Sequence, residues 1–132
     1  MRRRWKAAAT SGGRESRKVQ VVSESTADLI RALVERGAHD DAQALADEAL
    51  RGAGGVERAE LLLAQSFVHG NRGAQLAALA AAVEAGELFQ AAGLPTRTCD
   101  ALAQTAGTLR AAGDHETALS TLEHAETLAR AA

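Results

Sequence analysis

Three glycines, each followed at fixed distances by small or apolar residues, mark an internal repeat in this chain. The copies begin at Gly37, Gly73 and Gly113, at two similar intervals. The residues five, nine and twelve positions later are Ala42, Ala46 and Ala49, then Ala78, Ala82 and Ala85, then Ala118, Leu122 and Ala125. Alanine on an apolar stripe lets a neighbouring helix approach closely, so we expect each glycine to close one helix and the small residues to follow in the next. Periods of this length are typical of stacked helical hairpins.

The distribution of helix breakers supports the same interpretation. Long stretches rich in Ala, Leu, Glu, Gln and Arg alternate with short glycine-bearing gaps, and no segment has the pattern of a strand. Residues 52–55 and 93–96 separate three helical hairpins. In the second gap Pro95 stops the preceding helix, and Thr96 or Thr98 can cap the next one. Asp114 is placed to cap the last helix. The sequence therefore predicts an all-α protein.

The third copy carries the most complete pattern. Its residues are Leu102, Ala106, Leu109, Gly113, Asp114, Ala118, Leu122 and Ala125. Large, small and large apolar residues before the glycine, and small, large and small ones after it, resemble the tetratricopeptide repeat (TPR) family over roughly residues 23–130. The resemblance implies a right-handed stack of about three antiparallel helical hairpins, a TPR-like α-solenoid. The repeats would span approximately 23–53, 55–93 and 96–131 within a domain of residues 23–132.

The second copy fits the repeat in two ways. Counting from Gly73 places Ser66 and His69 where apolar residues belong. Moving the first helix two residues earlier places Ala64 and Phe67 there instead, with residues 70–73 absorbing the shift.

Charge divides the chain into a basic arm and an acidic body. Residues 1–25 have a balance of +5 and the remainder one of −7. We assign residues 1–22 to an arm that is disordered when free, because apolar residues in it are few. Three alternatives are open for this arm. It is a solvated tail that lies on an acidic surface, it contacts nucleic acid, or it belongs to a longer parent chain. For nucleic acid the contacts would be Arg2, Arg3, Arg4, Trp5 and Lys6, with the arginines on phosphates and the indole stacked on a base.

The TPR resemblance also implies a binding surface. In that family the first helix of each repeat lines a concave groove that holds a peptide or a partner's helix. The implied groove residues include Asp28, Arg31, Glu60, Leu63, Phe67, Gln104 and Arg110. Phe67 packs in the core instead if the first helix of the second copy is shifted two residues earlier. The final helix has an apolar stripe wide enough for its hairpin partner and for something beyond it, so Leu119 and Leu128 would face a second copy in a homodimer, a partner, or further repeats.

Residues for chemistry are not grouped in this sequence. No nucleophile, base and orienting group are spaced as a catalytic set requires, so we expect no enzyme and no cofactor. His115 and His124 are nine residues apart, on opposite sides of one helix, and we expect no metal site. Cys99 is the only cysteine, which favours a reducing compartment. Because no run of eighteen apolar residues and no signal-peptide pattern occurs, we expect a cytoplasmic protein without a membrane partner.

Two hypotheses for function follow. The first is a non-catalytic scaffold that binds a peptide or partner helix through the concave groove, the terminal helix, or both. The alternative is a regulator or nucleoprotein component whose basic arm contacts nucleic acid. The segment 84–89, Glu-Ala-Gly-Glu-Leu-Phe, is similar to helical segments of large bacterial transcription regulators, and the Arg- and Ala-rich composition is common in high-GC bacterial genomes.

Overall fold

A computed structural model describes residues 26–132 of the chain, and all regular structure in that range is helical. Helix α1 covers residues 26–35. It is followed by α2 (His39–Leu50), α3 (Gly55–Asn71), α4 (Gln75–Ala91), α5 (Pro95–Ala111) and α6 (His115–Ala131). The all-α prediction is confirmed for this range, which contains six helices and no strand. The predicted basic arm, residues 1–22, lies outside it.

Each helix packs mainly on its neighbours in the chain. Helix α2 contacts α3, α3 contacts α4, α4 contacts α5 and α5 contacts α6. Helix α3 also touches α5, which is two helices further along the chain. The two gaps predicted at residues 52–55 and 93–96 therefore separate helices that lie close in space.

Two apolar clusters form the core, and α3 contributes to both. The first cluster joins α1, α2 and α3 through Ala27, Ile30, Val34, Ala42, Ala46, Leu61, Ala64 and Val68. The second joins α3, α4 and α5 through Ala59, Leu62, Leu63, Ala81, Ala85, Phe89 and Ala101. Phe89 is the largest fully buried side chain among the described residues. Alanines fill much of both clusters, so close helix contacts rather than bulky side chains supply the packing.

Four of the turns between helices have one geometry. In each, a glycine with φ between 73° and 92° follows the helix. Its N–H donates to the carbonyl three residues earlier, and the next N–H donates to the carbonyl five residues before it, at N···O distances of 2.8–3.2 Å. This pair of hydrogen bonds is the Schellman motif, and positive φ favours glycine in it. The four glycines are Gly37, Gly73, Gly93 and Gly113.

The prediction that Gly37, Gly73 and Gly113 end helices is thus confirmed, and Gly93 adds a fourth turn of the same kind. Helices α3 to α6 have the same length, 17 residues each. Gly93 lies midway between Gly73 and Gly113. The interval between those two glycines therefore contains two consecutive helix-and-turn units of equal length.

Local capping agrees with the sequence in one place and differs in another. The N–H of Thr117 donates to Oδ1 of Asp114 at 3.1 Å, which confirms Asp114 as the cap of α6. The prediction that Thr96 or Thr98 caps α5 is wrong. Pro95 occupies the first position of that helix, where its missing N–H costs nothing, and no side chain of the described residues caps it. The hydroxyl of Thr98 donates instead to the carbonyl of Leu94 at 2.8 Å.

The second copy follows the register counted from Gly73. Helix α3 runs without a break to Asn71, so residues 70–73 do not form an insertion that could absorb a shift. Ser66 is fully buried at the position that Ala106 holds in the third copy. Its hydroxyl donates to the carbonyl of Ala78 at 2.7 Å, which satisfies the only polar atom of the side chain.

Candidate functional site

A charged cavity of about 380 Å³ lies between the first helices of the three predicted hairpins. Its lining comes from α1, α3 and α5: Ala27, Asp28, Arg31, Glu60 and Arg97. These helices are close enough to share a cavity because α3 and α5 contact each other directly and α1 joins α3 in the first core cluster. Three residues predicted from the sequence, Asp28, Arg31 and Glu60, therefore meet in one place.

Arg97 organises the centre of this cavity. Its Nε donates to Oε2 of Glu60 at 3.0 Å, and its Nη2 makes a second contact with Oε1, so the pair is bidentate. A third bond runs from Nη1 to Oδ2 of Asp100. The guanidinium also lies 5.1 Å from the centre of the Phe89 ring, within cation–π range. The hydrogen bond with Glu60 is the main cause that raises the pKa of Arg97, so the side chain is a fixed positive charge.

The remaining pair in the cavity is looser. Nη1 of Arg31 lies 3.6 Å from Oδ1 of Asp28, one turn apart on α1, and Asp28 is largely exposed. Such a pair contributes little to stability and exchanges partners easily. Arg31 and Asp28 can therefore bind charged groups of a ligand, whereas Arg97 and Glu60 are already committed to each other.

Arg97 is absent from the residues predicted from the sequence, although a signal was present. It stands seven residues before Gln104, an implied groove position in the third copy, and residues seven apart share a helix face. An arginine at that place, two residues after Pro95, could have been assigned to the groove on spacing alone.

The other predicted groove residues lie elsewhere. Leu63 is buried in the second core cluster, and Phe67 is half-buried against the first. Nε2 of Gln104 donates to the hydroxyl of buried Ser66 at 3.2 Å, which links α5 to α3. Arg110 does not line the cavity.

The residues predicted on the final helix differ in exposure. Leu119 is 59% exposed and Leu122 is 39% exposed. Leu128 is half-buried and lines a small pocket with Leu94 and Pro95 at the start of α5. Ala118 is the one buried residue of α6, and the carbonyl of half-buried Ala125 accepts a 3.3 Å hydrogen bond from the Cys99 thiol.

The nucleic-acid contacts proposed for the arm, Arg2, Arg3, Arg4, Trp5 and Lys6, lie outside the described residues. Within residues 26–132 no group of three or more His, Cys, Asp or Glu side chains could hold a metal ion. No helix in that range is both long enough and apolar enough to cross a membrane. The comparisons with known proteins add no relative: no family model matches the chain, and neither a curated protein nor a solved structure is detectably similar to it.

Proposed function

We propose that this protein is a non-catalytic protein-interaction module of the cytoplasm that binds a peptide or a partner's helix. The observation that carries the proposal is the cavity shared by α1, α3 and α5, where Asp28, Arg31, Glu60 and Arg97 converge. A groove built from three successive first helices is long enough to follow an extended or helical ligand, and charged side chains along it can select a partner.

The fold behind this proposal is a right-handed stack of three antiparallel TPR-like hairpins. Two features support it: the contact between α3 and α5, which places first helices side by side, and the repeated turns at Gly37, Gly73 and Gly113. In such a stack the first helices line one face and the second helices lie behind them.

Within the cavity we assign different roles to its two ion pairs. Arg97 and Glu60 hold α5 on α3 through a bidentate contact and keep the floor of the cavity rigid. Asp28 and Arg31 present the charges that a ligand meets, because their mutual contact is long and Asp28 is exposed. A ligand that carries both charges in sequence, with a basic group toward Asp28 and an acidic one toward Arg31, fits this arrangement.

The test is a comparison of two charge reversals of the same size. The double variant Asp28→Lys with Arg31→Glu reverses the i,i+3 pair in the cavity. The matched control, Glu48→Lys with Arg51→Glu, reverses an i,i+3 pair at the end of α2 that is exposed and lies outside the cavity. Partners retained by the wild-type full chain are identified by affinity capture and then titrated as purified proteins.

We expect a partner whose affinity falls by at least about tenfold with the cavity variant and stays unchanged with the control. If every purified partner binds both variants as it binds wild type, the cavity is not the binding site. Equal losses with both variants would mean that the effect is not specific to the cavity, because neither double reversal changes the net charge of the chain.

The charge asymmetry of the sequence favours a second candidate, in which the basic arm binds nucleic acid and the helices serve as a scaffold. Replacing Arg2, Arg3 and Arg4 with alanine should then weaken binding to generic duplex DNA and reduce the slope of log K against log salt by about 2.7. An unchanged slope would leave the arm without this role.

A further inference from the structure

The outer side of α6 repeats a surface that is covered elsewhere in the same molecule. Gly73 precedes α4 and Gly113 precedes α6, so aligning the two glycines matches the helices position by position. In this alignment Leu119, Leu122, Glu126 and Ala129 of α6 match Leu79, Ala82, Gly86 and Phe89 of α4. We call the α6 set the terminal face. Its members are spaced three, four and three residues apart and therefore lie on one side of the helix.

On α4 the corresponding side is covered by α5. Ala82 and Phe89 are fully buried, and a Cβ on Gly86 would lie 3.4 Å from the Cβ of Ala101 in α5. On α6 the same positions are open: Leu119 and Leu122 are exposed by 59% and 39%, and Glu126 and Ala129 are exposed as well. The fold thus shows what covers this side of a helix in the repeat, which is another helix.

Charge indicates what kind of helix can occupy the terminal face. Glu116 and Glu123 stand three residues before and four after Leu119, so they border the terminal face on one side, and Glu126 lies within the face. Arg130 is the one basic side chain on that border, and it is 2.9 Å from Glu126. Within residues 26–132 Glu116 and Glu123 have no ion pair.

A second copy of this chain fits the border poorly. Two terminal faces brought together about a two-fold axis would place six glutamates against two arginines that already have partners. Like charges at an interface reduce affinity, and complementary ones raise it.

We propose that the terminal face binds an amphipathic helix of a partner protein, with an apolar stripe of leucine and alanine flanked by lysine or arginine. This inference rests on the proposed interaction function and names the partner chemistry at one of its two surfaces. Leu119 and Leu122 contact the apolar stripe of the partner helix, which packs on α6 as α5 packs on α4. Glu116 and Glu123 pair with its basic flank.

The experiment uses the full chain and two synthetic peptides of 17 residues, the length of α5. Both carry leucine and alanine on one helical face, with lysine on the flanks of one peptide and glutamate on the flanks of the other. Binding is measured by fluorescence anisotropy at about 20 mM and about 200 mM salt. The lysine peptide should bind, more weakly at the higher salt, and the glutamate peptide should not.

Three variants locate the binding. Leu119→Gln with Leu122→Gln should reduce the affinity for the lysine peptide by about tenfold or more, because the apolar contact of both leucines is lost. The matched control is Leu76→Gln, since Leu76 is 83% exposed on α4 and lies outside the terminal face. Glu116→Lys with Glu123→Lys should reverse the preference, so that the glutamate peptide binds and the lysine peptide does not.

Equal binding of both peptides, no binding of either, or an equal loss with Leu76→Gln would overturn the proposal. So would sedimentation that shows a dimer abolished by Leu119→Gln with Leu122→Gln, because the occupant would then be a second copy. If replacing Arg2, Arg3 and Arg4 with alanine raises the affinity for the lysine peptide by about tenfold, the chain's own arm occupies the terminal face and the proposal fails. The cavity variant Asp28→Lys with Arg31→Glu should leave this peptide unaffected, which separates the terminal face from the cavity.

Discussion

Gly86 in α4 and Ala101 in α5 face each other so closely that a Cβ on the glycine would lie 3.4 Å from the Cβ of the alanine. That distance is an ordinary van der Waals contact, so the two helices leave room for one more methyl group. Glycine inside a helix has a high conformational entropy in the unfolded chain, and its replacement removes that cost.

We therefore predict that Gly86→Ala raises the free energy of unfolding by about 0.5–1 kcal/mol. Gly107→Ala in α5 is the control, because a Cβ there meets nothing within 4 Å. Both variants should gain similar stability in urea denaturation. A loss with Gly86→Ala beside a gain with Gly107→Ala would mean that α4 and α5 pack more tightly than described.

The Schellman turns give an opposite result for the same substitution. Gly113 has φ of 92° with no atom near its missing Cβ, so only backbone conformation opposes a side chain. Gly113→Ala should lower the free energy of unfolding by about 1–2 kcal/mol, since alanine is strained at positive φ. Gly52→Ala, in the turn after α2 where φ is not in this region, should change it by less than about 0.5 kcal/mol. Equal effects at the two sites would contradict the turn assignment.

The ion pair at the centre of the cavity should show measurable coupling. In a double-mutant cycle of Glu60→Ala and Arg97→Ala, we expect an interaction energy of about 1 kcal/mol, because the contact is bidentate and partly shielded. The same cycle on Glu48 and Arg51, which are exposed at the end of α2, should give about 0.3 kcal/mol. A coupling for Glu60 and Arg97 no larger than that of the exposed pair would remove their role in joining α3 to α5.

His69 should make stability depend on pH. Burial is the main cause that lowers the pKa of its ring below the ordinary value of 6.5; nearby Arg72 lowers it further, and Asp47 opposes the shift. The unfolded chain then binds a proton more readily than the folded one. The free energy of unfolding should fall as the pH decreases from about 7 through 6.5 to the lowered pKa, and the His69 contribution should level off below it.

His69→Gln should reduce this fall between about pH 7.5 and pH 5 in urea titrations. His115→Gln changes a histidine that is exposed at the start of α6 and serves as the control. If His69→Gln retains the full pH dependence of the wild type, the responsible group is another one.

Most of the local structure follows from the sequence, because turn glycines and capping residues act locally. A glycine that ends a helix and an aspartate that caps its start have the same role in any protein, as at Gly37, Gly73, Gly113 and Asp114. The sequence predicts Gly93 only as part of a gap between hairpins, because the repeat has one glycine for each pair of helices. The capping role given to Thr98 failed because Pro95, three residues earlier, fixed where α5 begins.

The cavity follows less directly from the sequence, because its lining depends on which sides of each helix are covered by other helices. Helix α3 contacts α2, α4 and α5, so its apolar residues do not form one stripe with an open side. Leu63 is therefore a core residue although its spacing fits a groove. Asp28, Arg31 and Glu60 line one cavity. Their ion-pair geometry, and the position of Arg97 between Glu60 and Asp100, depend on distances between helices that spacing along one helix does not determine.

The single buried residue of α6 has a consequence for how this molecule opens. Among helices α2 to α6, α6 packs only on α5, and Ala118 is its one buried residue. Detachment of α6 would leave the two core clusters intact, so it should be the helix with the lowest free energy of local unfolding and the fastest amide exchange. A partner helix on its outer side would then act as a clamp. Its binding would be visible as slowed exchange along the whole of α6, including amides that the partner never touches.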